Sequence, residues 1–145
     1  MKSKLIDDQH GRKSFVMLFD KGEEFIAGLE TFADDQELNA SHFTAIGAFS
    51  VVTLGYFDRE TMSYKEIPVH EQVEVLSLIG NITLNKSKPK IHAHVVLGRS
   101  DGTTRGGHVL TAHIWPTLEV IVVESPQQLQ RKIDEATGLA LLEIS

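Results

Sequence analysis

The chain has 145 residues, 41% hydrophobic and 23% charged, a composition that fits one globular domain and rules out a disordered or fibrous chain. Its 14 Lys and Arg against 20 Asp and Glu leave a net charge of −6, so it is a poor general binder of phosphate backbones. With no cysteine, disulfides, thiolate metal sites, iron–sulfur clusters and cysteine nucleophiles are excluded.

The polar start, Met1 to Asp8, is not a signal-peptide core. No apolar run approaches the roughly 20 residues that a membrane helix needs. The expectation is a soluble, cytoplasmic protein with no membrane partner, folded as one domain over 1–145 with its core at about 13–144. Residues 1–13 lead into a first strand, Ser14 to Phe19. Asp20 reads as a helix N-cap with Glu23 closing a capping box. Phe25, Ile26, Leu29, Phe32 and Ala33 then share one face of a helix expected over about 21–37. That stripe is core packing.

Strand patterns follow. His42 to Phe57 is rich in β-branched and aromatic residues and contains Gly47 and Gly55, which mark bulges or close approaches. Ser63 to Ile67 returns after a turn. Over Glu71 to Leu84, alternation sets Val73, Val75 and Ser77 on one side and Glu74, Leu76 and Leu78 on the other. Asn85 to Lys90 is a basic turn. Ile91 to Arg99 and Gly107 to Ile114 flank Asp101-Gly102, a two-residue hairpin signal. Leu118 to Glu124 is a further strand, Ser125 to Asp134 reads as a short helix behind Pro126, and Leu139 to Ile144 is a last strand. The fold class is α+β, with a bent, barrel-like, mostly antiparallel sheet, one main helix near the N-terminus and a short helix near the C-terminus.

Of seven histidines, four cluster in sequence: His92, His94, His108 and His113. On a strand, His92 and His94 leave the same face about 6.5–7 Å apart at Cα, close enough for two ring nitrogens to converge on one ion. A two-residue loop at Asp101-Gly102 would set His94 opposite Val109 and bring His113 to their face. A one-residue shift, for which Gly106-Gly107 offers a bulge, would bring His108 instead. Spacing leaves both open. Three histidines leave one position of a tetrahedral ion free, as in catalytic or ligand-binding centres.

Gly106-Gly107-His108-Val109-Leu110, with Ser100-Asp101-Gly102 before it and Leu118-Glu119-Val120-Ile121-Val122 after it, resembles the "plants and prokaryotes conserved" (PPC) domain family. So do the segments Glu74 to Ile82 and Ile46 to Gly55. The likeness covers about 13–144. It implies a compact α+β domain with a barrel-like sheet, usually a homotrimer, and a metal, usually zinc, on His92, His94 and His108. That selection favours the bulge at Gly106-Gly107. The fold is also similar to that of acetolactate decarboxylase, an analogy that transfers no activity. Plant members bind DNA through a separate AT-hook, which this chain lacks. Direct nucleic-acid binding is therefore not expected.

Glu119, in an apolar strand, is a candidate for acid/base catalysis, for support of a ligand histidine, or for an ion pair. Glu74 raises the same question and is a candidate contact with a partner subunit. Arg99 and Arg105 flank the hairpin turn and are candidates for an anion near the metal. His10, His42 and His70 have no assigned role. Three functional readings result. The first is a zinc-binding homotrimer (or one with another divalent transition metal) that takes a small-molecule, anionic or protein ligand. The second is a metal-dependent lyase or hydrolase. The third is a DNA-associated or assembly module.

Overall fold

The structure, a computed structural model, describes residues 1–144. These form nine strands and one helix: β1 (Lys2–Gln9), β2 (Arg12–Asp20), α1 (Phe25–Asp35), β3 (Ala40–Asp58), β4 (Ser63–Val69), β5 (Val73–Asn85), β6 (Lys88–Gly98), β7 (Thr104–Glu124), β8 (Gln130–Ile133) and β9 (Ala140–Glu143). β3, β5, β6 and β7 pair antiparallel in a closed ring. The long β7 leaves that ring to pair with β2, and β1 caps the edge. The bent, barrel-like α+β architecture expected from the strand pattern is therefore present. The helix is 11 residues long, and no helix is long and apolar enough to cross a membrane.

The core lies inside the ring and is closed by α1. Phe25, Leu29, Phe32 and Ala33 are buried on one helical face, as their spacing demands. Phe25 meets Phe19 and Phe43 edge-on, at 5.8 and 6.1 Å between ring centroids, and Phe32 meets Phe15 at 5.3 Å. The helix is shorter at its start than expected. Glu23 does reach back to accept the Asp20 N–H at 2.7 Å, but the helical turn begins only after Glu24, whose carboxylate accepts the Ala27 N–H at 2.6 Å. The other oxygen of Glu24 accepts the Ala112 N–H at 2.9 Å and ties the helix start to β7.

Four local readings change. Residues 2–9 form a charged edge strand instead of a lead-in, turned by His10 and Gly11 at φ 54° and 79°. In β5 the register shifts between Val75 and Ser77, so Leu78 joins Val73 and Val75 in the core while Leu76 and Ser77 face out. The β6–β7 connection is a three-residue loop. The Gly102 N–H donates to Arg99 O and the Arg99 N–H to Thr103 O, both at 2.9 Å, and Gly102 takes φ +80°. Finally, the short helix expected over Ser125–Asp134 is absent. The Leu129 backbone is held by Asn39 O and the Leu84 N–H, and the chain then enters the β8–β9 hairpin. Asp134 turns that hairpin by accepting the Thr137 N–H and hydroxyl, and Gly138 completes it at φ +71°.

Candidate metal centre

β6 alternates Ile91, Ala93 and Val95 into the core and His92 and His94 outward. The three-residue loop sets His94 directly opposite His108. The register runs without interruption from that pair to Gly98 and Thr104, so no bulge at Gly106-Gly107 is involved. The one-residue difference between a two- and a three-residue loop does what the bulge was expected to do. A bulge does exist in β7, further on. Thr53 pairs with Thr111 and Leu54 with Val109, which leaves Leu110 extra. His113 lies beyond it, exposed and opposite Val51, outside the cluster.

The three imidazoles form a nearly equilateral triangle. Ring centroids are 5.1 Å apart for His92 and His94, 5.3 Å for His92 and His108, and 5.4 Å for His94 and His108. One nitrogen of each ring lies within 4.8 Å of the others. The Nε2 atoms of His92 and His94 are 3.1 Å apart. Two ligands at about 2.05 Å on a tetrahedral ion would be separated by about 3.3 Å. His108 Nδ1 is buried and has no hydrogen-bond partner among the described residues. A buried, unpaired ring nitrogen beside two converging imidazoles fits a site built for a cation. Burial first, then the neighbouring His92 and His94, push the His108 pKa down to about 4. His92 is lowered by burial, then by Arg131, His94 and Lys90. Both effects favour the neutral imidazole, which is the metal-ligating form.

The surroundings orient these rings. Tyr64 of β4 stacks on His108 at 4.9 Å and 28°. Room for it comes from Gly55, which lies opposite His108 across β3 and β7. A Cβ there would sit 2.8 Å from the Tyr64 ring. Gly80 pairs with Ala93 under His92. A Cβ at that position would lie 2.4 Å from the His92 carbonyl oxygen and 2.3 Å from Phe43. Gly55 thus marks the kind of close approach expected of it, whereas the identity of its neighbour Tyr64 and the role of Gly80 depend on strand pairing.

The remaining candidates fall elsewhere. Glu119 is exposed on the outer face of the far end of β7, paired with Leu18 and Ile46, and is not part of the histidine cluster. The buried glutamate of that strand is Glu124, 7% exposed. It accepts the Asn39 and Ala40 N–H groups at 3.0 and 3.1 Å and the Ser41 hydroxyl. Glu74 is exposed. Arg99 is engaged by Glu71 at 2.7 Å and braces the loop through Asp101 and Thr103. Arg105 is exposed. His10, His42 and His70 are also exposed and dispersed.

A side chain that spacing did not single out completes the picture. Arg131 of β8 donates from Nε to Thr83 Oγ1 at 2.6 Å, from Nη2 to Asn81 Oδ1 at 2.7 Å and from Nη1 to the Ala140 carbonyl at 2.8 Å. Asn81 is the cross-strand partner of His92. A cavity of about 370 Å³ opens here, with His92 and His108 on one side and the β8–β9 hairpin on the other. The sequence signal for this hairpin is the turn Asp134 to Gly138 between Ile133 and the apolar run that starts at Leu139.

The chain resembles several known proteins. The family model of the Plants and Prokaryotes Conserved (PCC) domain matches residues 7–126. A metal-containing protein of Archaeoglobus fulgidus has 37% identity and a TM-score of 0.84, with 91% of this chain and 94% of that one covered. A plant- and prokaryote-conserved protein of Pyrococcus horikoshii has 29% identity and a TM-score of 0.86, covering 99% and 96%. A Staphylococcus aureus protein similar to alpha-acetolactate decarboxylase shares the fold more distantly, at 13% identity and a TM-score of 0.55 over 74% of this chain and 50% of that one. The bifunctional protein GlmU of a Synechococcus strain is 31% identical over 126 residues, which are 85% of this chain, and the match spans only 19% of that relative's length. The family match, carried by most of the chain, places it in the plants and prokaryotes conserved domain family.

Proposed function

We propose that the chain is a cytoplasmic, homotrimeric zinc-binding protein whose three-histidine centre, His92, His94 and His108, takes a small ligand at the ion. The observation that carries this reading is the triangle of converging imidazoles with an unpartnered buried nitrogen on His108. Zinc suits neutral imidazoles in a chain without thiolates, and three protein ligands leave a coordination position for a further group. Bound there, the ion would supply a Lewis acid. His92 and His94 would present their ligand nitrogens from one strand, and Tyr64 would hold the His108 ring in place. The similarity to an archaeal metal-containing protein supports the same reading. No reaction is assigned, and direct nucleic-acid binding has no place in it at a net charge of −6.

The trimer is supported by the outer sheet face. Ile46, Leu76 and Ile79 are 60%, 53% and 57% exposed and lie together with Ile121 around a groove. Contiguous exposed aliphatic side chains of this kind mark an association surface.

Metal analysis of the purified protein and of a His92→Ala/His94→Ala variant tests the centre. About one zinc per chain in the first and less than a tenth of that in the second is the expected result. Equal, negligible zinc in both overturns the proposal. Light scattering on the same samples should report about three times the 16.1 kDa chain mass, and a 16.1 kDa species would overturn the trimer.

A further inference from the structure

Arg131 is unusual among the cations of this molecule. Its guanidinium is half-buried, and no carboxylate of the described residues lies within ion-pair distance. Arg99, by contrast, is paired with Glu71 and Asp101, which raise its pKa. The pKa of Arg131 is lowered, by burial alone. Its three hydrogen bonds all go to neutral acceptors. They fix the plane of the group and use one N–H on each nitrogen. Of the five guanidinium donors, two remain, one on each terminal nitrogen.

The cavity that Arg131 shares with His92 and His108 has no acidic lining residue, and Lys90 adds a second positive charge at its edge. An uncompensated, partly desolvated cation held by neutral partners is costly unless an anion completes it. The rest of the wall is apolar, with Leu110, Leu139 and Leu141 among it. A free N–H on each terminal nitrogen gives one donor for each oxygen of a carboxylate, and an aliphatic wall matches a short hydrocarbon body.

We infer that this cavity binds a small aliphatic carboxylate, with Arg131 as the residue that recognises its carboxylate beside the three-histidine centre. This rests on the metal centre proposed above and gives its ligand a chemical class. Much of the specificity comes from the β8–β9 hairpin, which lies outside the residues 7–126 matched by the family model. Asn81 and Thr83 are positioning residues: they aim the guanidinium and touch no ligand.

The test uses the full chain loaded with zinc, its metal content measured on each sample. Pentanoate, the uncharged pentanamide and inorganic phosphate are titrated while the Leu139 and Leu141 methyl signals are followed by NMR. Pentanoate should bind at least tenfold more tightly than pentanamide, and phosphate should not displace it. Arg131→Gln should reduce pentanoate affinity at least tenfold, to the level of the amide, with zinc content unchanged. Equal binding of pentanoate and pentanamide by the unmodified protein overturns the inference without depending on any variant. Displacement by phosphate overturns the carboxylate assignment, and an unaffected Arg131→Gln protein overturns the role of Arg131. If zinc is present and pentanoate does not bind, this inference alone falls. If no zinc is retained, the metal centre falls with it.

Discussion

Two hairpins border the candidate site, and they are held in different ways. The β6–β7 hairpin is part of the closed ring, with β5 pairing along one side of it and β3 along the other. The β8–β9 hairpin joins the sheet through a single parallel pair, Leu84 and Gln130, and through the hydrogen bonds of Arg131. The first carries His92, His94 and His108. The second supplies the guanidinium and the aliphatic wall. A ligand set needs positions accurate to fractions of an ångström, and a ring of paired strands provides them. A wall that selects a small molecule tolerates a more loosely attached element, and attachment at few points lets it open locally.

The largest effect should come from the ring. Gly80→Ala places a methyl group 2.4 Å from the His92 carbonyl oxygen and 2.3 Å from Phe43, where backbone cannot yield cheaply. The expected cost is about 3 kcal/mol of stability, with weakened zinc retention, read by denaturant unfolding and metal analysis. A stable, fully zinc-loaded variant would show that the ring is not what positions His92.

Acidification tests the same ring more gently. The His108 pKa, pushed down to about 4, lies below its ordinary value of 6.5. Between those values the unfolded chain takes up a proton that the folded chain refuses, so stability rises with pH across this window. The metal-free protein should therefore melt at progressively lower temperature as the pH falls from 6.5 towards 4. A His108→Ala variant should show a flatter profile. Identical profiles would place the cost of acidification elsewhere.

The smallest effect should come from the hairpin. Arg131→Gln removes hydrogen bonds from an element at the periphery, and thermal melting should register about 1 kcal/mol with zinc content intact. Loss of zinc from this variant would break the comparison, because it would mean that the two hairpins act as one unit.

Particular residues show how much of this was legible in the amino-acid order. The apolar spacing of Phe25, Leu29, Phe32 and Ala33 defined the buried face of α1, since helical periodicity is a local property. Glu119 and Glu124 could not be told apart so readily. Both sit in one apolar run, and only its alternation against the core makes Glu124 the buried carboxylate and leaves Glu119 outside. Ser125 to Asp134 forms no helix, although its local pattern suggests one, because Leu129 finds its hydrogen bonds at Asn39 and Leu84, far away in the chain; the last strand, expected over Leu139 to Ile144, is present as β9.

The sequence by itself determined the chemical repertoire: no thiolate, an acidic balance, and two histidines on one face of a strand because side chains alternate along it. Tertiary structure decided the third histidine, which follows from a three-residue loop and the register it imposes across β6 and β7. It also decided that Arg131 would stand beside His92, through Asn81 and Thr83 some fifty residues earlier. Alternation is dictated by backbone geometry within a few residues. Register and long-range contacts depend on which distant segments meet once the core closes.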